Sequence, residues 1–583
     1  MEVKSDKKTL KIARFSLFLF TVIFLGVFNW EFLYKLQNVS YFVFSDALLE
    51  ETVGQSGGLL SYVSAFCTQI LYYPMLGAFV LALLLSGLEW LISKLTGSVV
   101  VSFLSVGLIL LAQTSIGYAI YDNFRPSFVF SIVLGFYVAV ALALVYKKFA
   151  SSDKVVYSVI VAASILYFFV GLYACVTLLF IAINAWVTKE KGWTVKLPIC
   201  VALCLLLPYV AANVVYHENF SSTICAPVPP LYFMNLFVIT ILTMVLLALS
   251  PLFCDKIAVL TRRLGQPWAP YAAVALLCVG VFFASCRDSN YHTEFKMQRL
   301  TEAHQWDELL KVADEVERPS STIFAYRAIA LACKNRLADQ VFKYPCNFKR
   351  VKTNYVSEQP RYYEDLFLYG AFVNNSYLWS MEFWCTTGYS YEHLKKMTIC
   401  SLLNDEPMLA NKYIQVLKQS LFQREWALEY EGYVNHLDKM LKKYPEFADV
   451  KANMPKGDAL CRLEAFRKVY SNYSFLSKKN AERRLLADLY NKDMKTFFKD
   501  AMQTRSLYAK SNAPDCVKEG LVICAMMQGD PSILKGFRVS QSTVNDVQNA
   551  YNLIRASKDP EAAKEAIAKY KGRYFYFYFV ANN

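Results

Sequence analysis

The chain has 583 residues, of which 55% are hydrophobic and 15% aromatic, while only 19% are charged, with a formal net charge of +14. That is too little charge for an ordinary soluble protein of this length. The unevenness also excludes a uniform globule, since residues 1–286 hold just 17 of the 61 Lys+Arg and 12 of the 47 Asp+Glu.

Residues 1–286 therefore read as a membrane domain and residues 287–583 as a water-soluble one. A helix needs roughly 20 apolar residues to cross a bilayer core of about 30 Å. The chain offers apolar runs near 14–33, 71–93, 98–121, 127–146, 155–187, 197–214, 231–253 and 269–286. The first run follows Lys4, Lys7, Lys8, Lys11 and Arg14. It has no small-x-small cleavage site, so it is expected to remain as an anchor.

The run Val155–Val187 is ambiguous. As one helix its 33 residues would extend about 50 Å, far more than a bilayer core requires. As two helices of roughly 16 residues it needs a tight turn, and Gly171 at the middle supplies a permissive backbone. Length leaves both readings open, and charge separates them, because Lys and Arg favour the cytoplasmic side. With the N-terminus inside and two spans here, the basic residues divide 15 inside to 2 outside; with one span they divide 9 to 8. The expected fold is thus all-α: a bundle of about nine spans, N-terminus in and C-terminus out, then a soluble helical domain.

The segment between the first two spans carries "FSDALLEETVGQSGG", with Asp46 and Glu50 at i, i+4 and Glu51 beside them. On a helix Asp46 and Glu50 share one side. Carboxylates near lipid can have raised pKa values and act as bases, so these three are candidate catalytic residues. Acids at this place also keep a loop out of the membrane, and that plainer reading outweighs the catalytic one. Glu89 is expected to reach the interface or Lys94. Arg125, beside Asp122, and the pair His217-Glu218 are candidate binding residues for an anionic head group, or simply polar loop residues.

The polar half is helical. In "EAHQWDELLKVADEV" (302–316), Trp306, Leu309, Leu310 and Ala313 share one helix face. Tyr326, Ala330, Cys333 and Leu337 continue a similar stripe. Asp405, Asp530 and Asp559 precede new helices, with Pro407, Pro531 and Pro560 following closely, and Asp493 holds the equivalent place without a proline. An Asp accepts hydrogen bonds from free N–H groups at a helix start, and proline fits the first turn. Helix pairs joined by such turns stack into solenoids. The placing of Ala410, Tyr413 and Leu417, and of Ala562, Ala563 and Ile567, resembles tetratricopeptide repeats, although the strict signature and a constant register are missing. The aromatic run Tyr574–Phe579 is expected to cap the stack. Seven cysteines in this half, an odd number without regular spacing, argue against a disulfide framework, with Cys333–Cys346 the one pairing considered. The five His form no pair at metal-ligand spacing, so no metal site is expected, and no motif calls for a cofactor. The basic excess of this half, 44 against 35 acidic residues, is mild and dispersed, so no nucleic-acid partner is expected.

The stretches "GGLLSYVSAFCTQILYYPMLGA" (57–78), "LYFFVGLYACVTLLF" (166–180) and "YYEDLFLYGAFVNNSYLWSMEFWCTTGYSYEHLKKMTICSLLND" (362–405) carry a resemblance over nearly the whole chain. It resembles an uncharacterised family of Bacteroidota integral membrane proteins. That resemblance implies the cell inner membrane and a periplasmic tail, with no assigned activity. In layout the chain is also similar to GT-C membrane glycosyltransferases, which place an acidic residue in the first outer loop. It departs from them in lacking an Asp-Asp or Asp-x-Asp pair there. Two functions are therefore carried: an envelope scaffold held by the bilayer and meeting a protein partner through residues 287–583, or a GT-C-like transferase using a lipid-linked sugar. A transporter is weaker, because the spans contain almost no ionisable residues.

Overall fold

The computed structural model describes residues 2–121, 124–264, 269–286, 288–344, 362–454, 478–508 and 512–580. Every regular element among them is helical, with no strand. The chain forms two compact units. Unit 1 comprises Met1–Tyr291 together with Thr387–Glu392 and Val416–Glu425; unit 2 comprises His292–Thr386, His393–Gln415 and Trp426–Asn583. Two short stretches of the polar half thus belong to unit 1.

Unit 1 contains α1 (Glu2–Ile23), α2 (Trp30–Asn38), α3 (Asp46–Val53), α4 (Gly58–Thr68), α5 (Pro74–Thr96), α6 (Val99–Thr114), α7 (Phe128–Lys148), α8 (Asp153–Val170), α9 (Leu172–Thr188), α10 (Trp193–Val210), α11 (Phe220–Cys225), α12 (Met234–Leu264) and α13 (Ala269–Ala284). Six segments are long and apolar enough to cross a membrane: Lys8–Phe28, Pro74–Thr96, Phe128–Lys148, Asp153–Val170, Trp193–Val215 and Met234–Cys254. The other three expected spans fall on α6, α9 and α13, of 16, 17 and 16 residues, shorter than a straight crossing requires. Large apolar side chains such as Leu83, Val161, Ile165, Leu205 and Leu276 point outward from these helices. A soluble monomer rarely exposes so much apolar surface, and this is the pattern of a membrane protein.

The run Val155–Val187 is two helices. Its chain reverses at Gly171 (φ 62°, ψ −139°), a conformation open essentially to glycine alone. A Cβ there would stand 1.9 Å from the Ala226 carbonyl oxygen, so side chain and turn cannot coexist.

Three contacts fix which helix ends lie together. Lys147 Nζ donates to the Leu95 carbonyl at 2.7 Å, joining the ends of α7 and α5. Tyr137 donates to the Leu84 carbonyl at 2.6 Å midway along the same two helices, so they run parallel. Phe136 and Tyr173 meet edge to face at 5.3 Å, which places the start of α9, and hence the end of α8, in the first half of α7, near its middle.

Buried charges tie this bundle internally. Glu89 on α5 does not pair with Lys94, as the sequence suggests. Lys94 lies five residues on, about 140° around the helix, on another face. It sits over the Trp90 ring instead, at 3.5 Å. Glu89 accepts from Arg14 Nε on α1 at 2.5 Å and from Ser102 Oγ on α6 at 2.7 Å. Lys196 is buried between Asp153 and Glu190, at 3.2 and 3.5 Å, and Tyr146 donates to Glu190 at 2.9 Å.

Unit 2 is built from neighbouring helices joined by short turns. Trp306–Asp314 packs on Ser321–Cys333, Lys478–Tyr490 on Met494–Tyr508, and Asp515–Gln528 on Gln541–Ala556. Trp306, Leu309, Leu310 and Ala313 are buried as their spacing predicts. The next stripe is split: the helix ends at Cys333, Asn335 turns with φ 55°, and Leu337 opens a new short helix. Asp530 and Asp559 accept from Ser532 N and Ala562 N at 2.8 Å each, and Asp493 from Thr496 N at 3.0 Å. Asp405 differs. It takes φ 61° and accepts from Lys451 Nζ at 2.5 Å, while the Glu406 carbonyl begins the helical ladder. The last helix, Tyr574–Val580, rests on Asp515–Gln528 with Tyr574 and Phe575 buried. Buried Glu519 accepts from the free N–H of Tyr574 at 2.7 Å and from Arg573 Nε at 2.5 Å. Burial pushes the Glu519 carboxyl up against the pull of Arg573. Cys346 lies outside the described residues, and Cys333 is a free thiol.

Candidate functional site

The three candidate acids sit on α3. Ser45 caps this helix, its hydroxyl accepting from Leu48 N at 3.2 Å, and Asp46 occupies the first turn, where a negative charge suits the helix dipole. The helix buries none of its residues, and Asp46, Glu50 and Glu51 are exposed. Glu51 lies close enough to contribute to the environment of Tyr41. Burial first, then Tyr391, Tyr389 and Glu51, pushes that phenol well above its usual range.

Arg125 is exposed, and Asp122 lies outside the described residues. His217 is exposed with φ 52°, and Glu218 accepts from Thr223 Oγ1 at 3.2 Å. Their loop does reach the start of α4. Ser56 donates to the Thr223 carbonyl at 3.4 Å, and a Cβ on Gly57 would meet Pro227 at 2.5 Å.

The densest buried polar arrangement in unit 1 centres on a residue the sequence analysis did not single out. Tyr391 is fully buried, and its hydroxyl lies 2.6 Å from Gln69 Oε1, 3.1 Å from the Phe42 amide nitrogen and 2.9 Å from Ser420 Oγ. It donates to Gln69 or to the Phe42 carbonyl and accepts from the other two. Gln69 Oε1 also lies 3.2 Å from Ser420 Oγ, an alternative acceptor for its single hydrogen. The backbone joins in, with Tyr391 N donating to Ser40 O at 3.0 Å and Phe44 N to Gln419 O at 3.1 Å. Burial pushes the Tyr391 phenol up to about 12, so it stays a neutral donor.

Beside this knot, Lys35 on α2 pairs with Glu392 at 2.5 Å, its side chain almost wholly buried. Tyr72 stacks on Phe422 at 5.4 Å, with Tyr73 edge-on to the same ring. The two polar-half stretches of unit 1 are therefore held by a hydroxyl knot, an ion pair and an aromatic clamp. Nothing in the knot forms a nucleophile-and-base pair. Its groups are neutral amide, hydroxyl and backbone, suited to holding a joint rather than to moving protons. Such a joint leaves no local sequence signal, because Phe42 and Tyr391 are 349 positions apart.

In unit 2 several buried ionisable groups are likewise paired. Glu364 faces His393 Nδ1 at 2.9 Å, Asp365 accepts from Tyr326 at 3.0 Å and pairs with Lys396, and Glu446 pairs with His304. Burial raises the Glu446 carboxyl, but the His304 contact outweighs it and holds the group below its usual value. Among the described residues, no group of three His, Cys, Asp or Glu side chains is placed to hold a metal ion.

No curated protein matches the chain, and no solved structure does. Residues 6–581 match one family profile, so the chain belongs to the family of unknown function DUF6057.

Proposed function

We propose that the protein is a multi-pass inner-membrane protein of about nine spans, with its N-terminus in the cytoplasm and residues 287–583 in the periplasm. In this reading the tail is a tetratricopeptide-like scaffold for envelope proteins. The observation that carries it is the joint of Tyr391, Gln69, Ser420 and the Lys35–Glu392 pair. Through it the polar half contributes two segments to unit 1. The reversal at Gly171 supports the sidedness, since the 15 to 2 division of basic residues requires two spans there. The Bacteroidota resemblance supports the compartment.

A GT-C-like transferase is the second reading. What favours it is that Asp46, Glu50 and Glu51 stand exposed on one short helix that precedes an apolar helix.

One complementation experiment separates the two in a strain with a deletion phenotype. The scaffold reading expects Asp46→Asn, Glu50→Gln and Glu51→Gln, combined, to restore growth, and Lys35→Ala with Tyr391→Phe to fail. The reverse result would replace the scaffold with the enzyme. Sidedness is read separately in a cysteine-free background with a reagent that cannot cross a bilayer. Ser289→Cys and Ser542→Cys should react in intact spheroplasts, and Ser151→Cys only after lysis.

A further inference from the structure

The helix α4 is built inside out for a helix in water. Leu59, Val63 and Phe66, at i, i+4 and i+7, form one face and are 41%, 41% and 38% exposed. The opposite face, Leu60, Ser64 and Thr68, is buried. Ser64 donates back to the Leu60 carbonyl at 2.6 Å and Thr68 to the Ser64 carbonyl at 2.8 Å, so their hydroxyls use no outside partner. A helix on a water-facing surface shows the opposite arrangement, with its apolar stripe turned to the core.

Its path explains the inversion. α4 starts beside the end of α8, where Gly57 N donates to the Phe168 carbonyl at 3.1 Å. It leads through the turn Gln69–Tyr72 directly into the start of α5, and it packs across α7 and α8. The end of α8 and the start of α5 lie in the same half of the bundle, by the α5–α7–α9 contacts described above. α4 therefore does not cross. Its 11 residues extend about 16 Å, within one half of the bundle.

The exposed stripe also continues outward faces on both sides. Ile165 and Phe169 of α8 lie before it, and Met75, Leu76, Phe79 and Leu83 of α5 follow it; all are exposed. Phe44 sits edge-on to Phe66 at 6.0 Å and extends the stripe toward α3, whose carboxylates face away from apolar surroundings.

We infer that α4 is a lipid-facing helix that does not cross the membrane, with Leu59, Val63 and Phe66 seated among phospholipid acyl chains and α3 at head-group level. This rests on the membrane reading of α5 and α8 and goes beyond it, since the sequence treats this segment as an outer loop. Apolar contact with acyl chains is the arrangement that makes such a face favourable.

The test places p-benzoylphenylalanine, one site at a time, at Leu59, Val63 and Phe66 of the full chain. The protein is held in nanodiscs of phosphatidylethanolamine with a minority of phosphatidylglycerol. Ile165 and Leu83 serve as references for lipid contact. After irradiation, phospholipid adducts are read by intact-protein mass spectrometry on monodisperse samples. The α4 sites should give adduct yields within about threefold of the references. Adducts at Ile165 and Leu83, but only peptide adducts, adducts to another protein or none at all three α4 sites, would overturn the inference and leave the membrane reading standing. No lipid adduct at any of the five sites would overturn both.

Discussion

Replacing Tyr391 with Phe removes one oxygen and leaves the ring in place. That oxygen serves Gln69 Oε1, the Phe42 amide and Ser420. Gln69 keeps Ser420 as a donor, but the Phe42 N–H loses its acceptor at a buried position. A typical hydrogen bond contributes about 1 kcal/mol net, and a buried group left alone costs about 1–3 kcal/mol more, so Tyr391→Phe should destabilise unit 1 by about 2–4 kcal/mol. Ser420→Ala alone should cost about 1 kcal/mol. The two hydroxyls touch, so the double variant should depart from additivity by at least about 0.5 kcal/mol. The assay is denaturant unfolding of the purified full chain in a mild detergent, with tryptophan fluorescence as the signal. Tyr389→Phe, at a neighbouring but exposed ring, is the control and should stay within about 0.5 kcal/mol. If Tyr391→Phe matches that control, or if the pair is additive, the knot does not hold unit 1 together, and the observation behind the scaffold reading fails.

Gly171→Ala should abolish monodisperse protein, because its Cβ would meet the Ala226 carbonyl. Gly97→Ala, where φ is 68° and no atom stands within 4 Å of the added carbon, should cost only about 1 kcal/mol. Arg14→Met should destabilise by about 3–5 kcal/mol by leaving Glu89 buried without its partner, and adding Glu89→Leu should recover most of that loss on the same unfolding assay. Asp488 in unit 2 is held up to about 8, by burial first and then by the charge of Asp500. Its folded value is above its unfolded one, so folding retains a proton and stability falls as pH rises from about 4 to about 8. Asp488→Asn removes that slope. The variant's advantage over the parent should grow across the window by on the order of a few kcal/mol and level off above it; equal slopes would refute the assignment.

Much of the fold was legible in the sequence because its signals are local. The apolar runs, the glycine at 171, and Asp530 and Asp559 beside their prolines each act within a few residues. The places where local reading fell short share a different cause. Glu89 found Arg14, 75 positions away, because helix phase turns it from Lys94. Asp405 is separated from its proline by Glu406, where Asp530 and Asp559 precede theirs directly, and it answers to Lys451. The candidate acids were correctly placed on one helix, but their exposure depends on what that helix packs against. The Tyr391 knot was invisible because each of its members looks like an ordinary tyrosine, serine or glutamine.

The two units solve burial in opposite solvents, and this bears on function. Unit 2 turns Trp306, Leu309 and Phe575 inward and pairs buried Glu364 with His393 and Glu519 with Arg573. Unit 1 turns Leu83, Ile165 and Phe66 outward and satisfies many buried hydroxyls on its own helix carbonyls, as Thr21, Thr96 and Thr240 do. The joint at Tyr391 is built differently from both. It is a buried polar cluster made by chain segments from the two halves of the sequence, with aromatic rings around it. Buried polar contacts of this kind penalise wrong pairings more than they reward the right one, because each misplaced member leaves a buried donor or acceptor alone. They specify how the polar-half segments seat in the bundle.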